Sequence, residues 1–336
     1  MTNALSRMLE TREWVLADGA TGTNLFNMGL ASGDAPELWN AERPDDVRRL
    51  YRGAVEAGSD LFLTNSFGAN AARLKLHDAQ DRAVELNRLA AELGREVAEA
   101  ADHPVVVAGS MGPTGEIMAP MGSLTHAIAV EIFHEQAEGL KAGGADVLWV
   151  ETISAAEEFR AAAEAAALAE MPWCGTMSFD TAGRTMMGLT SAELVGLVEA
   201  LPNPPVAFGA NCGVGASDLL RTVLGFMAAG TERPVIAKGN AGIPKYVDGH
   251  IHYDGTPELM ADYAVLARDC GARIIGGCCG TTPAHLAKMR AALENTPAGP
   301  RPTLDRIAEA LGAFSSGSDG TDDAAPKRRE RRRRRG

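Results

Sequence analysis

The stretch Arg273-Ile274-Ile275-Gly276-Gly277-Cys278-Cys279-Gly280-Thr281-Thr282-Pro283 passes from a β-branched run through two glycine-flanked thiols to a proline. A β-branched run bounded by glycines is typical of a buried strand, and Pro283 suits the first turn of a helix, where a missing N–H costs nothing. The two cysteines therefore lie at the carboxyl end of a strand, just before a helix begins. This strand, turn and helix form a unit that can be sought in the rest of the chain.

The same unit recurs along the whole sequence. Short apolar or β-branched runs occur at 14–17, 60–63, 105–108, 147–150, 173–178, 206–209, 235–237 and 274–277. Stretches with helical spacing follow them at 44–57, 80–101, 124–142, 155–170, 191–200, 216–229, 257–269 and 283–294. Eight alternations without a break in composition predict an α/β fold, a (β/α)8 TIM barrel with parallel strands. A doubly wound open sheet is the alternative.

Residues with strong cap preferences mark several of the predicted helix ends. Ser154 and Ser191 suit N-caps, and Glu157, three residues after Ser154, would complete a capping box. Gly58 and the pair Gly143-Gly144 suit helix C-termini. These signals support the division of the chain into alternating strands and helices.

Length and composition indicate a soluble protein with a large core. The chain has 336 residues, of which 46% are apolar. No apolar run approaches the roughly 18–20 residues that span a bilayer, and residues 1–10 lack the pattern of a secretion signal. Five cysteines, two of them adjacent, do not suit a framework of paired disulfides. We therefore expect reduced thiols, a cytoplasmic location and no membrane partner.

Charge divides the chain into an acidic body and a basic end. The net charge is −12, but residues 327–336 hold eight basic residues and one acid. An acidic body repels phosphates, so nucleic acid is not a required partner. Residues 315–336 are rich in Ser, Gly, Asp and Arg, a composition for disorder. We predict a barrel over 1–314 and a disordered tail over 315–336. The tail is either a solvated appendage or a weak contact to RNA, anionic lipid or the acidic body.

Polar residues gather at the carboxyl ends of the predicted strands, the face where the active sites of this fold lie. Asp18 follows the first strand, and Glu151 follows the fourth. Cys212 ends the sixth strand in the turn Gly209-Ala210-Asn211-Cys212-Gly213. Together with Cys278 and Cys279 after the eighth strand, these residues place three thiols and two carboxylates at one barrel mouth.

Cys212, Cys278 and Cys279 are predicted to bind one metal ion, because strands 6 and 8 flank strand 7. Soft sulfur ligands select zinc over magnesium, calcium or manganese. Three protein ligands leave one position open, and zinc with three thiolates suits the deprotonation of a substrate thiol better than the activation of water. The sequence therefore predicts alkyl transfer to a thiol. Packed cysteines or a vicinal disulfide are the alternatives, and Cys174 and Cys270 are expected in the core or in a helix.

Glu151 and the loop after the first strand supply candidate ligands for an amino-acid substrate. Glu151 would meet an ammonium group, and the amides around Gly19 and Ala20 would receive a carboxylate. The alternative for Glu151 and Asp18 is an ordinary role as a helix cap or loop hydrogen-bond partner. The functional interpretation predicts that the substrate is an amino-acid thiol.

These motifs, with Thr64-Asn65-Ser66-Phe67 and Gly112-Pro113-Thr114-Gly115, resemble the homocysteine S-methyltransferase family from about Trp14 to Leu293. That family includes betaine–homocysteine methyltransferases and the homocysteine-binding barrel of cobalamin-dependent methionine synthase. The resemblance implies zinc on Cys212, Cys278 and Cys279, with homocysteine sulfur as fourth ligand. It implies that Glu151 holds the amino group of homocysteine, and that Asp18, Gly19 and Ala20 contact its amino and carboxylate groups. Asn240 matches a position whose backbone approaches the metal when substrate is absent.

The methyl donor is less specified by this resemblance. The aromatic cage of the animal betaine enzymes is absent, since its two tyrosine positions match Gly68 and Thr152. Other rings near the predicted mouth are candidates to replace it: Trp39, Phe67, Tyr246 and Tyr253. We expect a zinc-dependent enzyme that methylates homocysteine from a small onium donor, with glycine betaine first, and makes methionine. The alternatives are a homocysteine-activating module that takes methyl groups from a cobalamin protein partner, and a non-catalytic zinc- or thiol-binding protein. A homo-oligomer is compatible with the sequence.

Overall fold

A computed structural model of the chain describes residues 3–242, 245–247 and 250–321, with no description of the side chains of 243–252. Eight parallel strands form one sheet in the order β1-β10-β7-β6-β5-β4-β3-β2. They are β1 (Val15–Leu16), β2 (Leu61–Leu63), β3 (Val106–Met111), β4 (Val147–Ile153), β5 (Trp173–Met177), β6 (Ala207–Cys212), β7 (Val235–Gly239) and β10 (Ala272–Gly277). A parallel bridge between Ala17 and Leu61 joins the two edges of this sheet. The structure therefore confirms a (β/α)8 barrel and excludes the open doubly wound sheet.

Helices surround the barrel and follow the strands as the sequence predicts. The larger ones are α4 (Pro44–Glu56), α6 (Ala83–Glu99), α7 (His126–Ala142), α8 (Ala156–Leu168), α9 (Ser191–Glu199), α10 (Ala216–Ala228), α11 (Pro257–Cys270) and α12 (Pro283–Asn295). The shorter ones are α1 (Ala4–Thr11), α2 (Gly22–Asn27), α3 (Trp39–Glu42), α5 (Ala71–Leu74) and α13 (Leu304–Leu311). A hairpin of β8 (Lys245–Val247) and β9 (His250–His252) lies in the loop after β7. None of the helices in the described ranges is both long enough and apolar enough to cross a membrane.

The interior of the barrel is filled by side chains that alternate along the strands. Val147 and Trp149 of β4 pack there against Ile236 of β7 and their counterparts on the other strands. Leu5 of α1, which is fully buried, joins the same cluster together with Met8. The helix α1 thus closes the end of the barrel opposite the carboxyl ends of the strands, so the open end is the mouth that carries the site.

Two predicted caps differ from the structure. Thr190, not Ser191, caps α9, and its side chain accepts a hydrogen bond from the Glu193 N–H at 3.2 Å. Ala155 precedes α8, and no side chain caps that helix, so the predicted Ser154 box is wrong. Ser154 instead uses its backbone carbonyl to accept a hydrogen bond from the Thr185 hydroxyl at 2.8 Å. The glycine signals are confirmed, with φ of 97° at Gly58 and 89° at Gly144, both just past a helix end.

Residues 312–321 contact the body of the barrel. The Ser315 N–H donates to Asp218 of α10 at 2.9 Å, and Arg221 donates to the Ser316 carbonyl at 2.8 Å. Arg221 also lies 4.7 Å from the centre of the Phe314 ring. The first residues of the predicted tail therefore pack on α10, whereas 322–336, with the Arg-rich run, lie outside the described residues.

Candidate active site

The three cysteines that were predicted to bind metal meet at the barrel mouth. Cys212 is the last residue of β6, and Cys278 and Cys279 follow directly after β10. Their sulfur atoms all lie within 4.8 Å of one another, and those of Cys212 and Cys279 are 3.9 Å apart. All five cysteines are free, so no vicinal disulfide is present, and Cys174 and Cys270 are buried elsewhere. The structure thus forms a compact cluster of three thiols.

Left-handed backbone conformations shape the two turns that carry these thiols. Cys212 has φ of 61°, Gly213 of 74° and Gly280 of 81°. A non-glycine residue in this region is uncommon and typical of functional sites. The Asn240 side chain joins the turns, since it accepts from the Cys279 N–H at 3.0 Å and donates to the Gly213 carbonyl at 2.9 Å. The described role of Asn240 is therefore to hold the two turns together, and the approach of its backbone to a metal stays a prediction.

The thiol cluster fits a zinc ion. Tetrahedral zinc with Zn–S bonds of about 2.3 Å places its sulfur ligands about 3.8 Å apart, which is close to the separation of Cys212 and Cys279. Hydrogen bonds from the Cys278 and Cys279 thiols lower the pKa of Cys212. Hydrogen bonds with Cys212 and Cys279 raise the pKa of Cys278. One thiolate is therefore favoured before metal binds, and a cation would take the place of the protons that the cluster shares.

Glu151 lies on β4 at the mouth, and only 8% of its surface is exposed. The Ser110 hydroxyl donates to its Oε1 atom at 2.5 Å. Burial raises the pKa of Glu151 to about 7, against the opposing effects of Lys238 and of the Ser110 hydrogen bond. An incoming ammonium group would stabilise the charged form of this carboxyl, since an opposite charge at close range favours ionisation.

Lys238 on β7 is a buried cation that the sequence reasoning missed. Its ammonium group forms an ion pair with Asp18 Oδ1, and the Leu63 N–H donates to Asp18 Oδ2 at 2.9 Å. Burial opposes the charge of Lys238, but Asp18 and Glu151 outweigh this effect and raise its pKa. Both Asp18 oxygens thus have partners inside the protein. The sequence did contain a signal for this position. Lys238 lies two residues after Ile236 on the same strand, and Ile236 faces the barrel interior, so Lys238 should face the interior as well.

A cavity of about 280 Å³ opens over this cluster. The residues that line it include Gly19, Ala20, Thr21, Glu37, Asn65, Phe67, Ser110, Glu151, Thr152, Cys212, Lys238, Cys278 and Cys279. The Ala20 N–H donates to the Thr281 carbonyl at 3.2 Å, so a substrate carboxylate would have to displace this hydrogen bond. The carboxylate contact predicted for Gly19 and Ala20 stays a prediction. The cavity nevertheless joins the three thiols, Glu151 and the first-strand loop in one space.

Residues 15–293 match the family model described as homocysteine S-methyltransferase. The chain belongs to the homocysteine S-methyltransferase family. It is 31% identical over 297 residues to methionine synthase of Mycobacterium tuberculosis and 30% identical over 317 residues to that of Mycobacterium leprae. These matches cover 84% and 89% of this chain, which spans about a quarter of the length of either relative.

Solved structures of the same family resemble the whole barrel. The oxidized and metallated forms of the homocysteine methyltransferase MmuM from Escherichia coli each match with a TM-score of 0.72 and 26% identity. The matches cover 86% of this chain and 99% of MmuM. A metallated relative with this similarity agrees with the fit of the thiol cluster to a metal.

The rings that were predicted near the mouth divide into two groups. Phe67 lines the cavity, and Tyr253 contacts the Cys279 thiol, which together with burial raises the pKa of Tyr253. Trp39 is buried beneath the Arg43 guanidinium, 3.7 Å from its ring centre, and is not among the residues that line the cavity. The role of Trp39 in donor binding stays a prediction. The side chain of Tyr246 lies outside the described residues.

Gly68 and Thr152 stand at the two positions that match the cage tyrosines of the animal betaine enzymes, and the structure shows the surroundings of each. A Cβ atom at Gly68 would lie 2.8 Å from Glu37 Oε1 and 3.2 Å from Arg73 Nε. The Glu37 carboxylate therefore fills the space next to the backbone here, and any side chain at position 68 would displace it. Thr152, at the other position, has φ of 63° and lines the cavity.

Proposed function

We propose that the protein transfers a methyl group from a small onium compound, with glycine betaine first, to the thiol of L-homocysteine and produces methionine in the cytoplasm. The observation that carries this proposal is the group of three sulfur atoms within 4.8 Å of one another at the cavity that Glu151 lines. Membership of the homocysteine S-methyltransferase family supports the choice of acceptor.

Cys212, Cys278 and Cys279 would hold zinc, which when bound supplies a lower pKa for a thiol that binds next to it. Glu151 would receive the amino group of homocysteine, because it is a buried carboxyl on the cavity wall. Ser110 fixes one oxygen of that carboxyl through its hydrogen bond of 2.5 Å. These contacts would hold homocysteine in the cavity with its sulfur next to the three cysteines.

The transfer itself needs no further group. The homocysteine thiolate forms a bond to the methyl carbon as the carbon–nitrogen bond of betaine breaks. The electron pair of that bond leaves with dimethylglycine, which is uncharged at nitrogen until it takes up a proton. The cavity of about 280 Å³ suits two such small molecules, and an in-line arrangement of their reacting atoms would lower the barrier to transfer.

A homocysteine-activating module is the second candidate. The observation in its favour is that both curated relatives are named methionine synthase, and that this chain matches only about a quarter of each. In this case the methyl group would come from a cobalamin protein. Activity that requires such a protein would select this alternative over direct transfer from an onium donor.

The test is methionine formation by the zinc-loaded protein from homocysteine and separate donors: betaine, S-methylmethionine, dimethylsulfoniopropionate and methylcobalamin. We expect Cys279→Ser to lower activity and bound zinc by at least about 100-fold, since even partners of metal ligands contribute 10–100-fold. Cys270→Ala, a buried cysteine outside the cluster, serves as the control and should keep both. Failure of every donor, alone and with a cobalamin protein, would contradict an enzyme and favour a non-catalytic zinc-binding protein.

A further inference from the structure

Glu37 is a buried carboxylate on the wall of the active-site cavity that no step above uses. It lies in the single turn Pro36–Leu38, far in sequence from the thiols, yet lines the same cavity as Cys212, Cys278 and Cys279. Only 5% of its surface is exposed. Its Oε1 atom accepts a hydrogen bond from the Gly68 N–H at 2.6 Å. The carboxylate is thus fixed in place at the cavity.

Glu37 is held at the cavity wall by hydrogen bonds from backbone amides, and not by an ion pair with a described basic residue. Burial raises the pKa of Glu37, whereas the Gly68 amide and the nearby Arg73 and His77 oppose that increase. Among the described residues, no ion pair joins a basic side chain to Glu37, and the Arg73 guanidinium lies over the Phe67 ring at 5.6 Å. A buried carboxylate of this kind gains from a cation that enters the cavity.

Phe67 supplies a second group that attracts positive charge. Its ring lines the cavity together with Glu37 and packs tightly on Gly112, where a Cβ atom would lie 2.6 Å from the ring. The backbone of Gly112 therefore holds the ring in a fixed position. An aromatic face attracts a desolvated cation more strongly than an exposed one, and a rigid ring loses little entropy when the ligand binds.

The chemistry of methyl transfer calls for a cation in this cavity. A thiolate takes a methyl group readily when the leaving group departs as a neutral amine or sulfide, so the donor carries a positive nitrogen or sulfur. We infer that Glu37 and Phe67 bind the cationic centre of an onium methyl donor, Glu37 by charge and Phe67 by its ring face. This inference rests on the proposed function and names the donor class by the site that recognises it.

The test separates charge from shape. Glycine betaine and its isostere 3,3-dimethylbutyrate have the same outline and the same carboxylate, but only betaine has a positive centre. In zinc-loaded protein saturated with homocysteine, we expect Glu37→Gln to raise the KM for betaine by at least about tenfold, as expected for a buried charge contact. The inhibition constant of 3,3-dimethylbutyrate and the KM for homocysteine should change by less than about twofold.

Glu158→Gln is the matched control. Glu158 is also a buried carboxylate, 5% exposed, that accepts a backbone N–H, from Thr114 at 2.8 Å, and it is not among the residues that line the cavity. Glu158→Gln should leave the KM for betaine, the KM for homocysteine and the inhibition constant of 3,3-dimethylbutyrate unchanged. Phe67→Leu, which keeps an apolar side chain, should raise the KM for betaine about threefold or more. It should raise the inhibition constant of 3,3-dimethylbutyrate by a smaller factor.

Equal changes for betaine and its isostere in Glu37→Gln, or a change confined to homocysteine, would overturn the inference. Calorimetric titration of betaine and 3,3-dimethylbutyrate into wild-type protein and both Glu→Gln variants provides a second measurement that does not depend on turnover. If wild-type protein forms no methionine from any donor, the proposed function fails. The calorimetry then still decides whether Glu37 selects a ligand with a cationic centre over the isostere that lacks one.

Discussion

Glu151 couples the stability of the protein to pH. Its pKa of about 7 in the folded protein lies above its ordinary value of 4.5 because the side chain is buried. The folded state therefore holds this proton more tightly than the unfolded state does. The stability that the protonated carboxyl contributes is complete below pH 4.5 and is lost as the pH rises through 7.

We predict that Glu151→Gln gains stability relative to wild type as the pH rises. The difference in unfolding free energy should shift by about 2 kcal/mol in favour of the variant between about pH 5 and pH 7.5, because glutamine does not lose a proton. Urea denaturation at the two pH values measures this shift. The variant should also lose homocysteine affinity. A difference that is independent of pH would show that Glu151 does not titrate in this range.

Lys238 is predicted to stabilise the layer beneath the cavity through Asp18. Lys238→Met would leave Asp18 buried without its cation, which costs about 3–5 kcal/mol of unfolding free energy. Asp18→Asn together with Lys238→Met removes both charges, and we expect it to recover most of that loss. Urea denaturation of the two variants at pH 7 tests the pair. If the single variant were as stable as wild type, the ion pair would have no structural role.

Residues at the ends of strands could be predicted from the sequence, but residues that depend on a side chain from a distant loop could not. Cys212, Cys278 and Glu151 follow apolar runs, and the barrel brings the ends of such runs together. Glu37 reaches the cavity because its carboxylate binds the amide of Gly68, 31 positions later. No local pattern encodes that contact. Lys238 was missed for another reason, since the predicted seventh strand stopped at residue 237.

At the scale of single elements, hydrophobic patterns located the strands and helices to within a few residues. The ends were less certain because several hydroxyl residues compete for each cap. Thr190 and Ser191 are adjacent, and Glu193 lies three residues after Thr190, which completes the capping box there. At α8 no side chain caps the helix, and the Ser154 carbonyl instead accepts a hydrogen bond from Thr185 in the next loop. Cap preference is therefore overridden by contacts between elements.

The helix α1 was not predicted, although its sequence is amphipathic. Its apolar side chains, Leu5, Met8 and Leu9, recur at helical spacing and pack into the closed end of the barrel. A helix of eight residues is marginal alone, so its stability depends on that contact. The amphipathic pattern is visible in the sequence, but the surface that buries its apolar face forms only when the barrel is closed.

At the scale of the whole molecule, closure of the sheet and the return of the C-terminal segment are both non-local. The predicted alternation indicated eight strands, and the contacts between the two sheet edges, such as the bridge from Ala17 to Leu61, distinguish a barrel from an open sheet. Residues 312–321 return to α10, which begins four residues after Cys212. The Ser217 hydroxyl donates to the Gly312 carbonyl at 2.7 Å, next to the start of that helix.

The C-terminal segment is therefore predicted to support the turn of Cys212. A chain ending at Thr321 keeps the contacts of Ser315 and Ser316 with α10, whereas a chain ending at Leu311 loses them. Each hydrogen bond to a charged group contributes about 1.5–3 kcal/mol, so the shorter chain, which loses two of them, should lose about 3–6 kcal/mol of stability and bind zinc more weakly. The longer chain should match the full-length protein in both properties.

Urea denaturation and competition with a zinc chelator, applied to both truncated chains, measure these effects. Arg221→Met in the full-length protein is the companion variant, because it removes the bond to Ser316 and the contact with the Phe314 ring while it keeps the chain intact. Because this variant also breaks the ion pair of Arg221 with Asp218, of 2.6 Å, its loss of stability should combine that contact with part of the loss seen in the shorter chain. If both truncations lose zinc affinity equally, residues 322–336 are what support the site. If neither loses any, the packing of 312–321 on α10 does not reach Cys212.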